Sequence, residues 1–140
     1  MSARKTKLPN VYLSYAATER HIAQKLAEEL EAAGISTWSD TKIQAGSNWA
    51  RQIAEALEQA DVIVMLISPD WTASRWAQRE LEYALRGTRF AGRVVPVMVR
   101  PTTKYPWILG EFQMIKLGRG KRGPHLSDVV QAVTSAASAA

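Results

Sequence analysis

The chain has 140 residues, of which 46% are hydrophobic and 22% are charged, so we expect one globular domain with its own core. It contains no cysteine, which excludes disulfides, thiolate metal sites and cysteine nucleophiles. The net charge is +5, but much of the basic excess falls in a predicted flexible tail (1–9) and in a turn (119–122). Solvated charge is usual in such places, so we expect no nucleic-acid binding. His21 and His125 lie far apart, and we expect no metal site.

The basic N-terminal segment has no signal-peptide pattern, so we expect no targeting segment there. There is no apolar signal segment and no run of about 18 apolar residues, which predicts a cytoplasmic protein that does not cross a membrane. Residues 134–140 are rich in alanine and serine and are interpreted as a helix end or the start of a linker.

The first elements alternate between strand and helix. Residues 11–13 predict a strand, and apolar residues at helical spacing predict a helix over 19–33 that stops at Gly34. A second strand is predicted over 35–38. The polar connection 39–47 that follows is longer than usual between a strand and a helix, and such connections are often functional.

The alternation continues through the middle of the chain. Ser47 is predicted to cap a helix that runs to about Ala60. The continuous apolar run 62–67 is typical of a strand at the centre of a sheet. Ser74 is predicted to cap a further helix that ends at Gly87.

The last elements are shorter. Residues 94–99 predict a fourth strand, and Pro96 places that strand nearer an edge or beside a bulge because proline cannot donate a ladder hydrogen bond. A short strand at 114–117 and a helix from Ser127 complete the pattern. Alternating strands and helices predict an α/β fold with a parallel sheet covered on both faces, which binds ligands beyond the carboxyl ends of its strands.

Trp76 and Glu80 are the candidate site residues near that edge. They are four residues apart and project from the same face of the predicted helix. An indole can hold a flat cationic ring, and a carboxylate can stabilise positive charge on an adjacent sugar. The nicotinamide–ribose bond of NAD+ fits this pair, since the leaving nicotinamide needs no proton. The alternative is a solvated or arginine-paired Glu80 beside a Trp76 that only fills the core.

Other residues at the binding edge follow the first three strands: Ser14, Tyr15, Ala16 and Ala17 after the first, 40–46 after the second, and Ser68, Pro69, Asp70 and Trp71 after the third. In the loop 39–47, Asp40 and Lys42 are candidates to contact ribose hydroxyls and phosphates, although a plain solvated loop is an equal alternative. Glycine-rich dinucleotide and phosphate loops and the GxSxG elbow are absent, which leaves oxidoreductase, triphosphatase and α/β-hydrolase functions without support.

Three motifs in order resemble the Toll/interleukin-1 receptor (TIR) family over residues 10–133. Val-Tyr-Leu-Ser-Tyr at 11–15 is similar to its first box, and Gly34 to Asp40 followed by Gly-Ser-Asn-Trp at 46–49 is similar to its second strand and mobile loop. Ser68 with Ser-Arg-Trp-Ala-Gln-Arg-Glu-Leu at 74–81 is similar to its third strand end and following helix. The family resemblance implies a flavodoxin-like three-layer fold with a five-stranded parallel sheet of order 2-1-3-4-5.

For function, the resemblance implies an NAD+ glycohydrolase or cyclase in which Glu80 is catalytic and NAD+ is a substrate, with no cofactor. It implies that Ser14, Tyr15, Ala16, Ala17, Asp40, Lys42, Ser68 and Trp76 line the pocket, with Trp49 and Trp71 as neighbours or core residues. The loop 39–47 would also mediate head-to-tail TIR–TIR self-assembly. The isolated domain resembles bacterial members that act in antiphage defence, with a sensor domain or partner chain as activator.

One departure and two rival functions accompany this interpretation. Many relatives place an aspartate soon after the Ser-Tyr pair, where this chain has Ala16, Ala17, Thr18 and Glu19. The sequence therefore does not identify the groups that would bind the pyrophosphate. The main rival is a non-catalytic adaptor that acts by TIR–TIR contact. A glycosyl transferase of similar fold that processes nucleosides is the third hypothesis.

Overall fold

The computed structural model describes residues 9–39, 46, 48–118 and 125–138. Within these residues five parallel strands form one sheet in the order β2-β1-β3-β4-β5, which confirms the predicted α/β class and order. The strands are β1 (Asn10–Ser14), β2 (Ser36–Trp38), β3 (Val62–Ile67), β4 (Val94–Met98) and β5 (Ile115–Lys116). The tail before Pro9, Asp40, Lys42, Ser47 and the turn 119–122 lie outside the described residues.

Helices cover both faces of the sheet. They are α1 (Arg20–Ala32), α2 (Trp49–Gln59), α3 (Pro69–Ala73), α4 (Arg75–Leu85) and α5 (Leu126–Ser138), with 3-10 turns at Ala17–Glu19 and Trp107–Glu111. Buried residues of α1 and α5 pack on one face, and those of α2, α3 and α4 pack on the other. Across the described ranges no helix is long and apolar enough to cross a membrane.

Strand β3 forms the centre of the core. Every residue of Val62–Ile67 is 0% exposed, because the alternating side chains enter the two helical layers in turn. Val64 packs in the layer of α1 and α5, whereas Met65 packs in the layer of α2, α3 and α4. The prediction of a central strand at 62–67 is confirmed.

Helix α5 begins at Leu126, one residue before its predicted start, and the helices differ from the predictions in three further places. Helix α2 uses Asn48 as its N-cap, with Oδ1 accepting from the Arg51 amide at 3.2 Å, so the prediction of Ser47 as the cap was wrong. Helix α1 begins at Arg20, because a 3-10 turn occupies Ala17–Glu19. The third difference is α3, a five-residue helix in a segment predicted as loop. Gly34 ends α1 with a φ of 85°, as predicted.

Pro96 lies in β4, which is flanked by β3 and by the edge strand β5. Its neighbour two residues on, Met98, accepts from the Leu117 amide on the β5 side, so Pro96 faces that side too. Pairing between β4 and β5 begins only at Val97 with Ile115. The missing N–H of Pro96 therefore falls where no ladder bond is required, and the strand lies one place from the edge.

Candidate active site

Glu80 lies on the buried face of α4, against β1. Ser74 caps this helix, because its hydroxyl accepts from the Ala77 amide at 3.1 Å, which confirms the predicted cap. Glu80 shares its face with Ala77, Leu81 and Ala84, and only 6% of it is exposed. A carboxylate at such a place is costly unless hydrogen bonds compensate its lost hydration.

Two hydroxyl groups of β1 supply those hydrogen bonds. Tyr12 donates from its phenol to Oε2 of Glu80, and Ser14 donates from its hydroxyl to Oε1 at 2.7 Å. Tyr12 and Ser14 are two residues apart on a strand, so both side chains point to the same face of the sheet. Each carboxylate oxygen of Glu80 thus has a donor from the neighbouring layer.

Trp71 extends this arrangement from α3. Ser68 caps that helix by accepting from the Trp71 amide at 3.1 Å, and the Trp71 side chain is 0% exposed. The indole N–H donates to Oγ of Ser14 at 2.9 Å. Trp71, Ser14 and Glu80 therefore form a chain in which each group donates to the next, and such chains polarise one another.

Trp49 and Trp76 form an aromatic pair at the starts of α2 and α4. Their ring centroids are 4.9 Å apart with the planes tilted by 57°. Trp49 is 51% exposed, whereas Trp76 is partly buried. The Nε1 atom of Trp76 is buried and has no acceptor among the described residues. The structure therefore places a partly open indole pair one helical turn from Glu80 along α4.

The residues predicted after the first and third strands occupy different environments. Ser14 and Ser68 are 1% and 0% exposed, and their hydroxyls bond to protein groups. Tyr15 and Ala16 are partly buried, and Ala17 is exposed at the start of a 3-10 turn. The structure thus brings Ser14 together with Glu80 and Trp71, whereas Ala17 is exposed to solvent. Asp40 and Lys42 are not among the described residues.

A charged cluster ties together the segments that follow β1, β3 and β4. Arg100 donates from Nη2 to Oε1 of Glu19 at 2.9 Å and to Oδ2 of Asp70 at 2.6 Å. Burial by itself would raise the pKa of Glu19, but hydrogen bonds from Arg100, Thr18 and Ser68 outweigh it and hold the pKa below its ordinary value. Hydrogen bonds from Thr18 and then Arg100 lower the pKa of Asp70. Glu19 is therefore paired with Arg100 just before α1. It belongs to the segment 16–19, in which the sequence departs from the first-box pattern of the family.

Tyr12 and Arg100 were not among the residues singled out from the sequence. A signal for Tyr12 exists, because it is a polar aromatic residue two positions before Ser14 on a buried strand. Arg100 lies two residues after the end of β4, so the rule that sites form at the carboxyl ends of parallel strands would have included it. Neither signal identifies the hydrogen-bond partner. The partner of Tyr12 is Glu80, 68 positions away in sequence, and the partner of Arg100 is Glu19, 81 positions away.

Comparison with known sequences gives one family. A family model described as TIR domain matches residues 11–131. The chain is 28% identical over 102 residues to uncharacterized protein y4lF of Sinorhizobium fredii, a match that covers 66% of this chain and 31% of that protein. The matched region thus spans about a third of the length of this curated relative.

Comparison with solved structures agrees with the fold. The TIR domain of the Toll-related receptor TRR-2 from Hydra magnipapillata superposes with a TM-score of 0.66 at 24% identity, covering 76% of this chain and 82% of that one. A metazoan TIR-STING receptor from C. gigas, solved with 2′,3′-cGAMP, superposes with a TM-score of 0.73 at 20% identity. That match covers 88% of this chain and 38% of the receptor. At these identities the likeness concerns the fold alone.

Proposed function

This chain belongs to the TIR domain family, and from that premise we propose that it cleaves the nicotinamide–ribose bond of NAD+ as a glycohydrolase or cyclase. The observation that carries the proposal is the carboxylate of Glu80, held by Tyr12 and Ser14 one helical turn from the indole of Trp76. NAD+ is the substrate, and the reaction needs no further cofactor.

The chemistry requires only one carboxylate. Nicotinamide is bound to ribose as a pyridinium, so the C1′–N bond breaks with its electron pair passing to the ring nitrogen, and a neutral amide leaves. Positive charge then develops on C1′ and the ring oxygen of ribose, where the carboxylate of Glu80 stabilises it. Water attacks C1′ and releases a proton to give ADP-ribose. Attack by an adenine nitrogen of the same molecule gives a cyclic isomer instead.

The indole pair gives the cationic ring a place to bind. A pyridinium stacks favourably on an indole face, and Trp49 is 51% exposed beside Trp76. The buried Nε1 of Trp76 has no acceptor among the described residues, and a side-chain shift that opens this N–H would let it donate to an oxygen of the ligand. A bound nicotinamide nucleoside would satisfy this donor and bring its ribose toward Glu80.

We also propose that the loop 39–47 mediates self-assembly of identical domains, in the cytoplasm, under the control of a sensor domain or partner chain in antiphage defence. Trp49 stands at the start of α2, directly after this loop, and presents an exposed indole there. An exposed aromatic side chain of this kind is typical of interface residues. A pocket completed by a neighbouring domain would make turnover rise steeply with protein concentration.

A second candidate function is a non-catalytic adaptor that acts by TIR–TIR contact. The observation that favours it is the 6% exposure of Glu80, whose hydrogen bonds to Tyr12 and Ser14 also serve to join α4 to β1. In an adaptor these bonds would fix the fold and the loop 39–47 alone would carry the function.

Nicotinamide release from NAD+ separates the two functions. We would measure it for the wild type, Glu80→Gln and Glu82→Gln across a wide range of protein concentration, with and without a crowding agent. Glu82 lies on the same helix but is exposed, which makes it a matched control. We expect Glu80→Gln to lower kcat by at least about a hundredfold, as loss of a charge-stabilising group does, and Glu82→Gln to leave it unchanged.

Each outcome has a clear meaning. The mass of the co-product distinguishes ADP-ribose from a cyclic isomer. Full turnover by Glu80→Gln would remove Glu80 from the mechanism. A folded wild-type protein that releases no nicotinamide at any concentration would overturn the enzymatic proposal and favour the adaptor.

A further inference from the structure

Tyr12 is a polar side chain in an otherwise apolar position. It is 2% exposed and lies in β1, with β2 on one side and β3 on the other. Its partners in register are Trp38 of β2 and Ile63 of β3. Phenylalanine would fill the same space without a polar atom, so packing alone does not require the phenol hydroxyl. The hydroxyl is satisfied by Glu80, on the helix above the sheet.

The orientation of the Tyr12 hydroxyl is fixed by a residue of the neighbouring strand β2. The ring of Tyr12 stacks on the ring of Trp38 with centroids 5.2 Å apart and planes within 14° of parallel. A tyrosine has only two side-chain torsions, and stacking against a partly buried indole removes the freedom of both. The phenol is therefore already oriented toward Glu80, and the side chain loses no further conformational freedom when it makes this hydrogen bond.

Its effect on Glu80 differs from that of Ser14. The Ser14 hydroxyl is shared, because it accepts from Trp71 while it donates to Oε1. The Tyr12 phenol donates to the other oxygen, Oε2, so the two donors fix the plane of the carboxylate as well as its place.

We infer that Tyr12 is a positioning residue for NAD+ cleavage, which fixes the orientation of the Glu80 carboxylate through its phenol hydroxyl. This inference rests on the proposed function. Because the stack with Trp38 holds the phenol, the orientation also depends on β2, the strand that leads into the loop 39–47. Tyr12 acts on the step that develops charge and not on substrate binding, so its removal lowers kcat and spares KM.

The test compares Tyr12→Phe with Tyr83→Phe, each made in the wild type and in Glu80→Gln. Tyr83 lies on α4, and its hydroxyl contacts Arg89 on the surface, so the control removes the same atom elsewhere. Nicotinamide release from NAD+ gives kcat and KM, and thermal unfolding reports folding. We expect Tyr12→Phe to lower kcat by roughly tenfold to a hundredfold with KM within about twofold, the value of a hydrogen bond to a charged group. We expect no change from Tyr83→Phe.

The Glu80→Gln background shows whether Tyr12 acts through Glu80. In that background Tyr12→Phe should cause no further loss of the residual rate, since the charge it positions is gone. If Tyr12→Phe does not fold, 3-fluorotyrosine at position 12 keeps the shape and changes the acidity of the phenol, and we expect it to change kcat at least about twofold without changing KM.

The outcomes keep the two proposals apart. Wild-type release combined with an unchanged kcat in folded Tyr12→Phe, or in the fluorinated protein, overturns the inference alone. An equal loss in both backgrounds also overturns it, because the phenol would then act independently of Glu80. No release by the folded wild type overturns the proposed function and this inference with it.

Discussion

Arg100 binds the carboxylate of Glu19 through two parallel hydrogen bonds, from Nε to Oε2 at 3.0 Å and from Nη2 to Oε1 at 2.9 Å. Glu19 is 6% exposed, so this fork-shaped pairing compensates the burial of a charge at the start of α1. The pair joins the segment after β4 to the 3-10 turn after β1, and Asp70 adds α3, the helix that follows β3. Three connections at the carboxyl edge of the sheet are therefore tied to one guanidinium.

This cluster predicts a loss of stability in acid. The folded-state pKa values of Glu19 and Asp70 lie below their ordinary values of 4.5 and 3.8, so their contribution is complete above those values and is lost as the pH falls through the lowered ones. Arg100→Ala should reduce stability at neutral pH and flatten this acid dependence. The measurement is denaturant unfolding from neutral to acidic pH.

Arg51→Ala is the matched control for that experiment. Arg51 pairs with Glu55 at 3.5 Å within α2, and both side chains are more than half exposed. Such a pair contributes little to stability, so this variant should retain the acid dependence of the wild type. An identical pH profile for Arg100→Ala and the wild type would contradict the prediction.

Trp71→Phe should destabilise the protein by about 2–3 kcal/mol, because it removes the donor to Ser14 and leaves a small cavity in the core. Trp107→Phe serves as the control, since Trp107 is 78% exposed and its replacement should change stability by less than about 0.5 kcal/mol. Chemical unfolding at neutral pH measures both. Equal midpoints for the two variants would show that the bond to Ser14 and the burial of the indole contribute nothing.

Trp49→Ala should weaken substrate binding while leaving the fold intact. The indole is 51% exposed, so its loss should change stability little, whereas the loss of a stacking surface should raise KM for NAD+ by about fivefold to thirtyfold. Steady-state nicotinamide release measures KM. Trp107→Ala, which removes an even more exposed indole, should leave KM unchanged. An unaltered KM in Trp49→Ala would exclude this indole from the pocket.

The main elements of the fold follow from local signals in the sequence. The apolar run at 62–67 predicts a buried central strand because such a strand has no solvent face, and Gly34 and Ser74 mark helix ends through their own backbone and side-chain chemistry. Helix α3 was missed because five residues are too few to show helical periodicity, although Ser68 and Pro69 are a typical helix start.

The candidate site was predictable only in part. The spacing of Trp76 and Glu80 places them on one helix face, but it does not reveal that Glu80 points into the sheet toward Tyr12 and Ser14. Burial depends on how α4 rotates against β1, which the packing of the whole layer determines. The same limit explains Arg100 and Glu19, whose pairing needs the sheet order before it can be recognised.

The two outermost strands are short, three residues in β2 and two in β5. They present few unpaired backbone amides and carbonyls, so a foreign strand gains little by adding to either side of the sheet. This protects the domain against amyloid-like growth when many copies are crowded together. Copies that gather at high local concentration can therefore stay folded as separate units, and their association can remain reversible.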